Sequence, residues 1–311
     1  MKKFLKDPLL YILLLFFIYP FLPYIGNFIS LGTEMLTWFI FTLGFNLCLS
    51  YTGLVSFGHG AFYGVGSYAT ALLYLHIFGG KGFFIPILLG AVCAAVFAAC
   101  LGFLIRHKKG IYFALLTVVF TQVLYVICWK WTEVTGGEGG LKDINRSSFL
   151  GINMFDSVNF YYFVFVIFVI SALVIRRITN SNFGKSLQAI RQNPVRAECL
   201  GYNTGLYKFA VFVISGFWAG LAGGLYCFLT QSVFASMLDW VRSGDALIAT
   251  VLGGGLTSFY GPIIGSIALI LGQELISSFW THWRLVFGLG FVMIILVFAG
   301  RLHARMERER L

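Results

Sequence analysis

Residues 181–201 read SNFGKSLQAIRQNPVRAECLG, a polar stretch set into an otherwise near-continuous series of apolar segments. Here a membrane-buried chain meets water. Around this stretch the 311 residues are 59% hydrophobic and 11% charged, with a mean hydropathy of +0.87. Soluble domains carry roughly 25% charged residues, so the chain reads as an integral membrane protein. Its apolar segments do not alternate with polar residues as barrel strands would, which leaves an all-α, polytopic helical bundle. The 36 glycines let such helices pack closely or break. The net charge of +10 comes from short basic clusters beside apolar spans, the pattern of topology signals and not of a nucleic-acid surface.

A span needs about 20 apolar residues, and ten segments qualify, some short or broken: 9–29, 34–50, 57–77, 83–105, 111–131, 159–178, 209–230, 243–258, 262–279 and 284–299. The basic-start N-terminus resembles a signal peptide but lacks a small-x-small cleavage site, so it counts as the first span. Lys2, Lys3 and Lys6, then Arg106, Lys108 and Lys109, then Arg176 and Arg177, then Arg301, Arg305, Arg308 and Arg310 all fall on one side of this count. Positive residues mark the cytoplasmic side, so both termini are expected there. The chain is expected to form a single transmembrane domain, 1–311, with a cytoplasmic loop at 179–208 and a main outer loop at 132–158. Six cysteines, mostly inside apolar runs and without a CxxC pair, read as packing residues and not as a metal or disulfide set. The segments at 53–64 and 255–265 share GLxSF and a following GxxxG, either by chance or as a structural repeat.

Within the opening stretch, Phe183-Gly184-Lys185-Ser186 matches only the end of a phosphate-binding loop. The first glycine position of that loop is Thr179, and an apolar span precedes it in place of a buried strand, so no ATPase motif is present. Two short helices explain the stretch better. Asn182 or Ser181 caps the first, which turns Leu187 and Ile190 to one side and stops before Pro194. Asn193 caps the second, with Pro194 at its first position and Gly201 as a left-handed stop. The expected shape is a helix-turn-helix knob that carries Lys185, Arg191 and Arg196 into the cytoplasm.

SNFGKSLQAIRQNPVRAECLGYNTGLYKFAVFVISGFWAGLAGGLY resembles the cytoplasmic coupling loop and following span of permeases from branched-chain amino acid ABC importers, of the LivM type. Four further blocks agree with that family in order: NLCLSYTGLVSFGHGAFYGVGSYATALL at 46–73, GIYFALLTVVFTQVL at 110–124, TGGEGGL at 135–141 and VLGGGLTSFYGPIIGS at 251–266. The tail departs from it by lacking the usual proline-glycine ending. The resemblance implies a non-enzymatic permease subunit in the plasma (inner) membrane, importing branched-chain or other neutral amino acids. It would share the path with a sister permease, dock two ATP-binding subunits that hold the ATP, and receive cargo from an extracytoplasmic binding protein. It implies no cofactor on this chain. On the family pattern, Gly184, Ala189, Arg191, Asn193, Ala197 and Gly201 would couple to the ATPase.

Glycine-rich breaks leave backbone groups unpaired, which membrane proteins tolerate where they line a cavity or meet other protein groups. Freed N–H groups at a half-helix start suit a carboxylate. Ser56, Gly58, His59, Gly60, Gly253, Gly254 and Gly255 are therefore candidates for the substrate path. Close helix packing accounts for each glycine equally well, and His59 serves either the path or a structural hydrogen bond. The alternative cargo within the class is urea or a short amide. An ion-coupled secondary transporter would hold ionisable groups deep in the bilayer, whereas Glu34, Asp239, Asp245 and Glu274 are expected near span ends. No catalytic set and no charged selector is apparent.

Overall fold

The computed structural model describes residues 8–21, 28–105, 110–147, 151–254, 258–279 and 288. Among them the chain is helical with no strand, as the absence of alternation required. Helices run as α1 (Pro8–Ile18), α2 (Ile29–Asn46), α3 (His59–Leu72), α4 (Phe84–Ile105), α5 (Ile111–Lys130), a single turn α6 (Thr132–Thr135), α7 (Ser157–Asn180), α8 (Asn182–Gln192), α9 (Pro194–Cys199), α10 (Thr204–Thr230), α11 (Trp240–Leu252) and α12 (Gly261–Phe279). Wider π-helical turns extend α2 over Leu47–Tyr51 and α3 over Leu73–Ile77. The chain forms two compact units, Met1–Ser266 and Ile267–Leu311.

Six helices are long and apolar enough to cross a membrane: α2 with its π-turn, α4, α5, α7, α10 and α12. They correspond to six of the ten expected spans. The other four differ or lie out of view. Residues 9–29 are helical to Ile18 and then turn over Tyr19–Phe21. At 57–77 the helix begins only at His59, after a segment without regular structure. At 243–258 α11 has 13 residues, about 20 Å at 1.5 Å per residue. Residues 284–299, the basic clusters at 106–109 and both ends of the chain lie outside the described residues, apart from Gly288.

The centre of the first unit is α2 with α10. Every residue of α2 from Gly32 to Asn46 is buried except Glu34. Small residues let the neighbours of α10 approach to backbone contact. A Cβ on Gly66 of α3 would run into the backbone of Gly220, and one on Gly220 into the Ala94 side chain of α4. Gly223 stands likewise against the Tyr63 carbonyl. In lipid there is little hydrophobic drive between helices, so this close packing is what holds them. At the far end of α10 from the knob, Arg146 Nε donates to the Phe228 carbonyl at 2.9 Å and its guanidinium lies 4.1 Å from the Phe160 ring. The side chain thus caps carbonyls that a helix end leaves unpaired. The TGGEGGL turn folds beside it, with Gly136, Gly137 and Gly140 all at positive φ. Leu141 and Val233 pair there as an isolated antiparallel bridge.

These contacts set an expectation for stability. Gly66→Ala forces α3 away from α10 and lowers the thermal unfolding midpoint of the detergent-solubilised chain, at a cost of about 1–3 kcal/mol for overpacking. Gly244→Ala, where a Cβ meets open space, leaves the midpoint unchanged or raises it.

Candidate functional site: a helical knob tied to two helix starts

The knob forms as its residues dictate. Ser181 Oγ accepts from the Gly184 amide at 3.4 Å and Asn193 Oδ1 from the Arg196 amide at 3.0 Å, so each side chain pairs an amide that a helix start leaves open. Pro194 opens α9, and Gly201 ends the turn at φ +89°. Leu187 and Ile190 are buried, and Gly184 sits so close to the Thr179 carbonyl that a Cβ would collide with it. Phe183 stacks on Tyr207 with ring centres 5.5 Å apart, and Thr204 Oγ1 donates to Glu198 at 2.5 Å. Both ends of the knob are therefore fastened to α7 and α10.

The coupling candidates separate by position. Gly184 and Ala197 are buried, whereas Ala189, Asn193 and Gly201 are exposed beside Val195 and Leu200, which are 67% and 73% accessible. Arg191 is half-buried and turns toward the bundle. It donates to the Ser50 carbonyl in the π-turn after α2, and its aliphatic stem covers Gly53. The sequence placed Arg191 on a solvent face; its own helix directs it to the first glycine loop.

That loop turns at Gly53, at φ +72°. Residues 53–58 then run back into the bundle. The Phe57 amide donates to Thr117 Oγ1 at 3.0 Å, and the Phe57 carbonyl accepts from Thr121 Oγ1 at 3.2 Å and Ser243 Oγ at 2.8 Å. Thr117 and Thr121 lie about 9 and 15 Å along α5 from its start. The α3 helix thus begins well inside the bundle. From the opposite end, residues 231–239 return from α10 and start α11 at the same depth. Asp239 caps α11 and accepts from Gln122 at 3.1 Å, and its carbonyl fills the space that a Gly60 side chain would need. The Gly60 amide donates to Ser243 Oγ at 2.7 Å. Two half-helix starts meet around Phe57, Gly60, Asp239 and Ser243.

Of the expected path residues, Ser56, Gly58 and Gly60 lie at this junction, with the Gly58 amide on Ser56 Oγ at 3.1 Å. The His59 side chain points elsewhere. It is fully buried, 2.8 Å from Ser215 Oγ, with Phe45, Phe62 and Phe212 ring centres 4.8, 5.4 and 6.1 Å away. Gly253 ends α11 ten residues after Ser243, about 15 Å along the helix. A Cβ there would run into the Gly261 carbonyl, as one on Gly265 would into the Ala249 carbonyl. On either side of this second glycine stretch α11 and α12 are thus in backbone contact, away from the first. Gly254 has φ +116° with open space beside it, and Gly255 lies outside the described residues. Reading from sequence missed Thr117, Thr121, Gln122 and Ser243 and put Asp239 at a span end. A hydroxyl pair four apart on an apolar helix, and an Asp-x-x-x-Ser start to α11, are the signals that pointed to them.

A model of the family described as "Branched-chain amino acid transport system / permease component" matches residues 27–298. The chain is 27% identical over 316 residues to the high-affinity branched-chain amino acid transport system permease protein LivM of Escherichia coli K12, covering 94% of this chain and 73% of that one. It is 25% identical over 308 residues to the LivH permease protein of the same strain, covering 93% and 97%. A probable LivH permease of Methanocaldococcus jannaschii is 26% identical over 267 residues, covering 82% and 80%. No solved structure matches significantly.

The junction depends on one hydroxyl that serves both half-helices. Ser243→Ala leaves the Gly60 amide buried without its acceptor, a cost of about 1–3 kcal/mol. It is expected to lower the unfolding midpoint and to speed hydrogen exchange at Gly60 selectively, as mass spectrometry of the detergent-solubilised chain would show.

Proposed function

Since the chain belongs to the family of permease components of branched-chain amino acid transport systems, we propose that it is one membrane subunit of an ATP-driven importer of branched-chain or other neutral amino acids. The relatives named LivM and LivH both match over most of this chain, which supports a sister permease beside it. In this reading ten spans cross the membrane, some short or broken, with both termini and the 179–208 loop in the cytoplasm. The six long apolar helices support that bundle, and α3 and α11 supply two of the broken spans. The chain catalyses nothing and binds no cofactor. ATP is held and hydrolysed by two partner subunits, and an extracytoplasmic binding protein delivers the cargo.

The knob carries the reading. It is a braced pair of helices with exposed Val195 and Leu200 at its tip, an apolar face that fits a groove on a partner. Arg191 then ties that body to the loop from which α3 starts. Closure of the ATPase subunits would move the knob as a unit, and the Arg191 to Ser50 bond would pass the motion to α2 and the loop, a rigid-body switch.

Two outcomes are expected. Proteoliposomes holding the assembled importer take up L-leucine only with ATP and the binding protein, and uptake driven by an ion gradient without ATP overturns the reading. Arg191→Ala lowers uptake about tenfold or more, within the usual range of coupling energies, while ATP hydrolysis continues at its basal rate; unchanged uptake counts against the coupling role.

A further inference from the structure

Arg242 stands one residue before the serine that joins the two half-helices, and its surroundings are unlike any other in the described residues. Its guanidinium carbon is 5.1 Å from the Tyr226 ring centre, 5.3 Å from Tyr63 and 5.9 Å from Trp38. These rings come from α10, α3 and α2, and all lie within the distance at which a ring face attracts a cation. Trp38 and Tyr63 are 6% and 2% accessible, while Tyr226 and Arg242 are half-buried and joined by a side-chain hydrogen bond. Glu34 lies one helical turn before Trp38 on the same face of α2, within electrostatic reach of both Arg242 and Tyr63.

Three observations point to a ligand. Basic residues in membrane interiors are rare and mark substrate pathways. Arg242 sits in the first turn of α11, where the helix dipole opposes a cation and favours an anion, so helix stability does not explain its position. The Tyr63 hydroxyl is buried and has no hydrogen-bond partner among the described residues, although buried polar atoms are nearly always paired. Packing alone would be met by phenylalanine.

We propose that this cage reads the charge of the cargo. Arg242 and the Tyr63 hydroxyl take the α-carboxylate of an amino acid, and the rings of Trp38 and Tyr226 receive its aliphatic part. Glu34 supplies the opposite charge at the rim, which suits a zwitterion better than a simple anion. A site of this kind selects α-amino acids over urea and short amides, which have no carboxylate. The inference rests on the importer reading and narrows its substrate.

The test is ligand-observed NMR on the full chain in nanodiscs, with the subunits that co-purify, using L-leucine, 4-methylpentanoate and L-leucinamide as probes. Loss of a charged hydrogen bond is worth about tenfold or more in affinity. Arg242→Gln is therefore expected to weaken L-leucine and 4-methylpentanoate by that factor and to leave the weaker L-leucinamide signal unchanged. Tyr63→Phe is expected to weaken L-leucine by a smaller factor, again without effect on L-leucinamide. Equal loss of all three probes in Arg242→Gln, no change in any, or a parent chain that binds none of them overturns the proposal. If Arg242→Gln does not insert, Tyr63→Phe decides alone: selective weakening of L-leucine supports the site and no change overturns it. Selective loss together with uptake that needs no ATP leaves the site standing and overturns the importer reading. ATP-dependent uptake with binding indifferent to Arg242 does the reverse.

Discussion

Backbone that leaves a helix inside a membrane must find partners from side chains, because lipid offers none. Two stretches of this chain, 54–58 and 231–239, run through the bundle outside α-helix, the second with a single 3-10 turn at Ala235–Leu238. The first is held by Thr117, Thr121 and Ser243, whose hydroxyls meet both the amide and the carbonyl of Phe57. The second ends on Asp239, which caps α11 and takes a bond from Gln122. Without these groups α3 and α11 would not start at mid-bundle. The rest of the fold is arranged to let them do so. The small faces of α3, α4 and α10 bring three backbones together where Gly66, Gly220 and Ala94 meet, and the knob closes the loop from outside.

The helices, caps and stop of the knob were legible in sequence because local rules determine them. A capping serine, an Asn-Pro start and a glycine stop act over three or four residues, and each was found in its expected role. Helix type and the long spans were legible for a similar reason, since lipid imposes one pattern on every residue of a span. The half-helices were not. Residues 57–77 and 243–258 have the composition of spans, but where a helix starts within such a run depends on partners far away in sequence. Ser243 is 183 residues from the Gly60 amide that it accepts. The sequence likewise could not tell which way Arg191 faced, because its partner, Ser50, lies 141 residues before it.

The candidate path residues show the same division. Gly58 and Gly60 were picked for their freed amides, and those amides are indeed outside helical bonding, yet both are paired with serine hydroxyls. For His59 the sequence leaves the path and a structural hydrogen bond open, and its bond to Ser215 Oγ between three aromatic rings is that of a core histidine. Arg242 stands between Asp239 and Asp245, acids that the sequence places near a span end. A span that begins halfway through a bundle brings its polar first turn with it.

Viewed as a chain of contacts, the knob and the cage are close in steps. Arg191 bonds Ser50, the π-turn leads through Gly53 to Phe57, Phe57 shares Ser243 with Gly60, and Arg242 precedes Ser243. Every link is either a hydrogen bond or consecutive backbone, a contiguous route by which, in the proposed mechanism, a shift of the loop at Gly53 would reach the first turn of α11. Tyr63 is the fifth residue of α3 and Arg242 the third of α11. Their separation, 5.3 Å from guanidinium carbon to ring centre, therefore depends on the same loop. If the knob answers to an ATPase, as proposed, its motion would change the distance between the two groups assigned to the carboxylate. Release of cargo would then need no separate gate: opening the half-helix junction weakens the site that holds it.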